Sequence, residues 1–301
     1  MQRREFLRNT ALAATALGVT DPLWANVPTT ATPARPMVRK SLKWGMVKGD
    51  MSIMDKFKML KELGYDGVEL DSPHTLDHKE ILAARDKTGL ELPGVVNSVH
   101  WKSPMSDPDP KVRATCVESM KTALNDCKMY GGTTVLLVPG VVNDKVSYKD
   151  AYERSQAEIR KLIPTVEKTG IKIALENVWN NFLLSPLEAA RYVDEINHPL
   201  VGWYFDVGNV VRYGWPEHWI EVLDKRIMKL DIKEYSRKKQ SDEGIWKGFN
   251  VEIMEGDCNW PEVNKALAKI GYSGWASAEV SGGDRARLAD VSQRMDRVFA
   301  A

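Results

Sequence analysis

From Leu42 onward the sequence repeats one unit, a short β-rich run followed by a longer amphipathic stretch. The runs are LKWGMV (42–47), DGVEL (66–70), ELPGVV (91–96), TTVLLV (133–138), KIALEN (172–177), VGWYFD (201–206), IMKLDIK (227–233) and WASAEV (275–280), eight in all. Between them lie helical patterns. IMDKFKMLKELG sets Ile53, Phe57, Leu60 and Leu63 on one stripe and stops at Gly64. KVRATCVESMKTALNDCKMYGG ends at Gly131-Gly132, and SPLEAARYVDEI and WPEHWIEVL carry proline just inside their starts, where a missing N–H costs little. Strands that alternate with helices form a parallel sheet with right-handed crossovers. Eight such units predict a single-domain α/β protein, a (β/α)8 TIM barrel over residues 41–301. A doubly wound sheet is the alternative, but no Gly-x-Gly-x-x-Gly follows the first run.

The segment ahead of the repeat has a different character. MQRREFLRNTALAATALGVTDPLWA pairs Arg3 with Arg4, continues through Glu5, Phe6 and Leu7, and runs small and apolar from Thr10 to Val19. This predicts a twin-arginine export signal over 1–25, cleaved near Ala25, and hence a periplasmic or exported protein. The apolar run is too short to span a bilayer, so no membrane association is expected after processing. The Pro- and Thr-rich residues 26–40 read as a linker. With 42 basic and 41 acidic residues the chain has no cationic surplus to neutralise phosphates, which excludes nucleic acid as a main partner. Cys116 and Cys127 sit eleven residues apart on one expected helix, roughly 16 Å at the helical rise and too far for a disulfide. No Cys-x-x-Cys metal pattern occurs.

In a closed barrel the C-terminal strand ends surround one opening, and inward positions alternate. Ala174 and Glu176 share a face, as do Gly202, Tyr204 and Asp206, then Asp231 and Lys233, then Ser277 and Glu279. Four acids, Glu176, Asp206, Asp231 and Glu279, therefore end strands 5 to 8. Carboxylates gathered in a partly dry pocket repel unless protons or a cation neutralise them. An all-oxygen set suits a hard or borderline divalent ion, Mn²⁺ first, with Mg²⁺, Co²⁺ or Zn²⁺ as alternatives. For a single strand-end acid, capping or pairing with a nearby base is the ordinary explanation. A competing arrangement makes Asp231 and Lys233 a buried pair with no metal contact.

The segments ALENVW, WYFDVGN, KLDIKEYSR and GYSGWASAEVSGGD resemble those that carry the metal site of the xylose isomerase-like TIM barrels, a sugar isomerase and epimerase group that includes ketose 3-epimerases and hydroxypyruvate isomerases. The resemblance spans residues 42–300. It implies that Glu176 and Glu279 bind the metal and relay protons, and that Asp206 is a ligand. On strand 7 the family has a histidine ligand, with arginine six residues on. This chain has Asp231 and keeps the arginine as Arg237. Where epimerases place a substrate-contacting histidine three residues after the strand 6 aspartate, it has Asn209. Asp231 would make the ligand set more negative, with Lys233 as its compensation and Arg237 as a substrate clamp.

Further pocket candidates are Glu69, which would bind sugar hydroxyls or cap the next helix, and His100 with Trp101 in NSVHW. Trp44, Trp179, Trp203 and Trp246 are candidate platforms for apolar sugar faces. Glu255 and Asp257 read as loop-capping acids. The expected chemistry is proton transfer next to a carbonyl through an enediolate, giving epimerisation or isomerisation of a sugar or keto-sugar. β-Elimination from a 3-keto-glycoside on the same site is the runner-up, and a non-catalytic sugar-binding barrel the alternative from another class. No Gly-rich phosphate cradle or arginine cluster stands out. A homo-oligomer is compatible with the resemblance.

Overall fold

The structure, a computed structural model, describes residues 37–301. The expected export signal and residues 26–36 of the expected linker lie outside the described residues. The chain runs β1 (Met37–Leu42), α1 (Ile53–Glu62), β2 (Leu70–Ser72), α2 (His78–Thr88), β3 (Gly94–Asn97), α3 (Pro110–Tyr130) and β4 (Thr134–Leu137). Helices α4 (Tyr148–Arg160) and α5 (Ile163–Thr169) precede β5 (Lys172–Glu176), which leads to α6 (Pro186–Ile196) and β6 (Val201–Asp206). Helices α7 (Val207–Val211) and α8 (Pro216–Leu223) precede β7 (Ile227–Ile232), followed by α9 (Arg237–Glu243), α10 (Trp260–Lys269), β8 (Ser273–Ala278) and α11 (Arg285–Ala300).

All eight strands are parallel, in the spatial order β1-β8-β7-β6-β5-β4-β3-β2. The seam between β1 and β2 is closed by a parallel bridge between Lys43 and Glu69, with Trp44 N–H donating to Glu69 O (2.8 Å) and Glu69 N–H to Leu42 O (2.9 Å). This is the (β/α)8 TIM barrel, as one domain.

Local chemistry explains the elements. Six consecutive buried residues make up β6, as expected of a parallel strand covered on both faces. Ser52 caps α1 through Asp55 N–H, Asp109 caps α3 ahead of Pro110, and Ser185 caps α6 ahead of Pro186. Each such cap is worth about 1 kcal/mol. Gly89, Gly131 and Gly170 end α2, α3 and α5 in the left-handed conformation.

The first strand lies earlier than expected. Residues 37–40, read as the end of a linker, belong to β1, and residues 44–46 form a 3₁₀ turn instead of strand. The half-exposed start of β1 hides its character, because Arg39 lies over the Trp275 ring and pairs with Glu91 at the barrel's rim.

Candidate active site

The barrel register brings the four acids together. Asp206 is the Cα partner of Asp231, and Asp231 of Ser277, while Glu279 N–H donates to Ile232 O (3.1 Å). One carboxylate oxygen from each of Glu176, Asp206, Asp231 and Glu279 lies within 4.8 Å of the others. Asp206 and Asp231 are fully buried, Glu176 nearly so, and Glu279 faces the opening.

Each acid is held by its local structure. Asp206 ends β6 and caps α7, accepting from Asn209 N–H (2.8 Å) through Oδ1, which leaves Oδ2 for the site. Asn177, just past β5, accepts from Asp206 N–H (3.0 Å) and donates to Asp206 O (2.7 Å), locking the two strand ends together. Gly208 lets β6 and β7 close up: a Cβ there would lie 2.8 Å from the Lys233 carbonyl carbon. Asp231 occupies a β7 position whose neighbours on the same face are Lys229 and Lys233.

Two ammonium groups thread the cluster. Lys233 Nζ lies 2.8 Å from Asp206 Oδ2 and 3.0 Å from Glu279 Oε2. Lys43 Nζ lies 2.9 Å from both Asp231 Oδ1 and Glu69 Oε2. The pairing expected between Asp231 and Lys233 is therefore replaced: Asp231 pairs with Lys43, and Lys233 serves the other two acids. Glu69 sits below, buried, bound to Lys229 Nζ (2.6 Å) and to Tyr204 OH (2.7 Å). Saturated in this way, it braces the barrel floor.

These contacts split the titrations. Burial pushes the Asp231 carboxyl well above the usual carboxylate range, reinforced by Glu279, Glu69 and Asp206 and only partly opposed by Lys43. Glu176 is raised by burial and then by Glu279 and Asp231. Glu279 goes the other way: burial would raise it, but Lys233 and Lys43 bring it below its ordinary value. Burial would lower Lys233, yet Asp206, Glu279 and Glu176 keep it raised.

The acid cluster offers what a divalent cation needs. Asp231 Oδ2 is buried with no partner, while Asp206 Oδ2, Asp231 Oδ1 and Glu279 Oε2 meet only lysine ammonium groups. Two lysines offset two of the four formal negative charges, and a divalent ion would offset the rest. The hard oxygen donors and their spacing fit such an ion.

Above the acids opens a cavity of about 880 Å³, with Glu176, Glu279, Lys233, Asn209, His100 and Trp101 among its lining residues. His100 is buried, and its Nδ1 accepts from Val138 N–H (3.3 Å), so the proton of the neutral ring is on Nε2. Burial lowers its pKa to about 4, with Lys43 adding to the effect against Glu279. Trp101 stands exposed at the rim, edge-on to His100. Asn209 is fixed by its amide, which donates to Asn177 O (3.0 Å).

Other expected contacts lie elsewhere. The Arg237 guanidinium donates to Val211 O (3.0 Å) and Gly214 O (2.6 Å) and lies over Trp215, so it ties α7 to α9 outside the cavity lining. Trp203 is fully buried on the outer face of β6, and Trp44 packs edge-on to Phe57. Trp179 and Trp246 do line the cavity, joined by Phe249. Glu255 pairs with Arg294, and Asp257 accepts from Arg237 N–H. Lys43, Lys229, Asn177 and Phe249 were not singled out from the sequence. Alternation from a correctly placed β1 would have revealed Lys43, which follows Ser41 on one face.

Known proteins share this frame. A relative from Methanocaldococcus jannaschii, the protein MJ1311, is 26% identical over 76% of this chain and 79% of its own. The L-ribulose-5-phosphate 3-epimerase UlaE of Escherichia coli is 22% identical over 73% of this chain and 79% of its own. The crystal structure of the 3-keto-D-glucoside 4-epimerase YcjR of E. coli superposes with a TM-score of 0.73 at 15% identity, over 88% of this chain and 100% of that one, a likeness of fold. The profile of the xylose isomerase-like TIM barrels matches residues 57–297. This chain belongs to the xylose isomerase-like TIM barrel family.

Proposed function

We propose that this protein is a divalent-metal-dependent sugar epimerase or isomerase that moves a proton next to a carbonyl. The observation that carries the reading is the convergence of four acid oxygens within 4.8 Å at the base of a large cavity, with Asp231 Oδ2 buried and unpartnered. The names of the epimerases that share the frame support the same class.

Glu176, Asp206, Asp231 and Glu279 would hold the ion, with Mn²⁺ as the best fit to an all-oxygen set. A bound divalent ion supplies Lewis acidity, which acidifies the carbon beside a carbonyl and offsets the charge of an enediolate. Glu176 and Glu279, the two acids of the cluster that line the cavity, divide the proton transfer: one takes the proton from that carbon and the other returns one. Return to the opposite face of the same carbon gives an epimer, and return to the adjacent carbon gives an isomer. The His100 Nε2–H, neutral across the working pH range, donates to a substrate oxygen without competing for the proton. Asn209 and Lys233 complete the polar floor. The Arg3-Arg4 segment supports export as the route to the site of action.

Solvent deuterium uptake tests the reading. Purified protein with Mn²⁺ incorporates deuterium into a ketose or keto-glycoside of a broad panel, and Glu176→Gln lowers the rate by about 10²–10⁴-fold. No uptake across the panel, or a protein that binds no stoichiometric divalent ion, contradicts it. Product analysis on the same samples separates epimer, isomer and elimination product.

A further inference from the structure

The cavity is larger than one sugar ring needs, and its aromatic lining runs away from the acids. Lys233 Nζ, bound to Asp206 and Glu279, lies 5.6 Å from the centre of the Phe249 ring. Phe249 meets Trp179 at 4.8 Å, and Trp179 meets Trp246 at 4.8 Å. Three rings thus form a continuous strip from the acid cluster to Trp246, which is 66% exposed at the mouth. The strip is fixed from behind. Trp179 Nε1–H donates to Asn209 O (2.9 Å), Arg212 lies over its face, and Tyr235 packs edge-on to both Trp179 and Phe249. A volume of about 880 Å³ falls near the top of the range for sites that enclose drug-sized ligands, about 300–1,000 Å³.

The charge of the lining narrows the occupant. Its three cations among the described residues are Lys43, Lys233 and Arg287. Each is already matched: Lys43 to Glu69 and Asp231, Lys233 to Asp206 and Glu279, and Arg287 to Glu252 (2.6 Å) and Asp290 (3.3 Å). A phosphate would find no free cation among these lining residues.

We infer that the substrate is a neutral two-ring glycoside whose reacting sugar carries a carbonyl, as a ring ketone or as a free reducing end. Its reacting sugar lies over the acids, and a second ring, joined through the glycosidic oxygen, stacks on the strip of Phe249, Trp179 and Trp246. The inference rests on the proposed function for the position of the reacting ring. The second ring is another sugar or an aromatic aglycone, since both present a flat apolar face to an indole.

Isothermal titration of the full protein, loaded with Mn²⁺, decides the matter. The probes are cellobiose and phenyl β-D-glucopyranoside, set against D-glucose, D-fructose and D-glucose 6-phosphate. At least one two-ring probe binds about tenfold or more tightly than the free sugars and the phosphosugar, a difference of about 1.4 kcal/mol. Trp246→Ala removes that advantage while leaving the Mn²⁺-induced rise in melting temperature as in the wild type, which shows a folded barrel. The two probes compared with each other identify the aglycone. A free sugar or the phosphosugar binding as well as both glycosides overturns the inference, as does no measurable binding of either glycoside. Glycoside affinity unchanged in Trp246→Ala overturns it too. Failure of the deuterium test alongside tight glycoside binding would strike only at the chemistry.

Discussion

Lys43 Nζ lies 2.9 Å from Asp231 Oδ1, so the residue after the first strand reaches past β8 to neutralise an acid on the seventh. The same ammonium holds Glu69 at 2.9 Å, so one positive charge bridges two buried acids. The lysine supplies the positive charge that makes aspartate tolerable on β7.

Replacing Lys43 by methionine leaves two buried carboxylates short of a partner. The expected loss is about 3–5 kcal/mol, the usual consequence of removing one member of a buried pair. Adding Asp231→Asn to Lys43→Met should cost less than the two single changes summed. Urea unfolding of the four proteins measures this, and strict additivity would show that the pair is not coupled.

Divalent cations should stabilise the folded protein. At a hundredfold excess over its dissociation constant, Mn²⁺ adds about 2.7 kcal/mol if it binds only the folded form. Chelation removes the increment. Asp206→Asn and Asp231→Asn should each reduce the Mn²⁺-dependent shift in melting temperature, whereas Asp242→Asn, on the exposed α9 and paired with Lys238, should not.

His100 should make stability fall in acid. Its pKa drops from 6.5 to about 4 in the fold because burial disfavours the imidazolium. The unfolded chain therefore binds the extra proton first. The stabilisation is complete above about pH 6.5 and is lost as pH falls towards 4, about 3 kcal/mol in all. Protonation also removes the acceptor that Val138 N–H uses. Stability measured from pH 7 to pH 4 should fall less steeply in His100→Gln than in the wild type, and parallel curves would refute this.

Gly248 leaves no room for a side chain. A Cβ there would collide with the Tyr235 ring, whose hydroxyl lies within hydrogen-bond reach of Ile245 O (2.7 Å) and the Gln240 side-chain amide (2.9 Å). Gly248→Ala should cost about 1–3 kcal/mol by overpacking and displace Trp246 and Phe249. Near-ultraviolet circular dichroism should lose aromatic signal while the far-ultraviolet spectrum stays unchanged.

The alternation of strands and helices was readable because buried parallel strands are apolar runs, and β6 was found to the residue. The strand-end acids were readable for a related reason: a two-residue period fixes which side chains face inward. Lys43 was not, since its partners Glu69 and Asp231 are distant in sequence and β1 begins with the exposed Met37 and Arg39 on either side of the half-buried Val38. Arg237 kept a suggestive spacing, but it opens α9 and turns to the carbonyls of Val211 and Gly214. Trp203 fails as a platform by the same period that brings Tyr204 and Asp206 inward.

The pairing of β1 with β8, from Met37↔Ser273 to Leu42↔Ala278, has a consequence for how the chain reaches this state. The first strand synthesised finds one of its neighbours only when the last is made, a long-range contact that slows folding. Until then β1 and β7 each present an unpaired edge, and Lys43 waits on an acid from the far half of the chain. Truncation before Ser273 would leave those edges open, a template for association between copies.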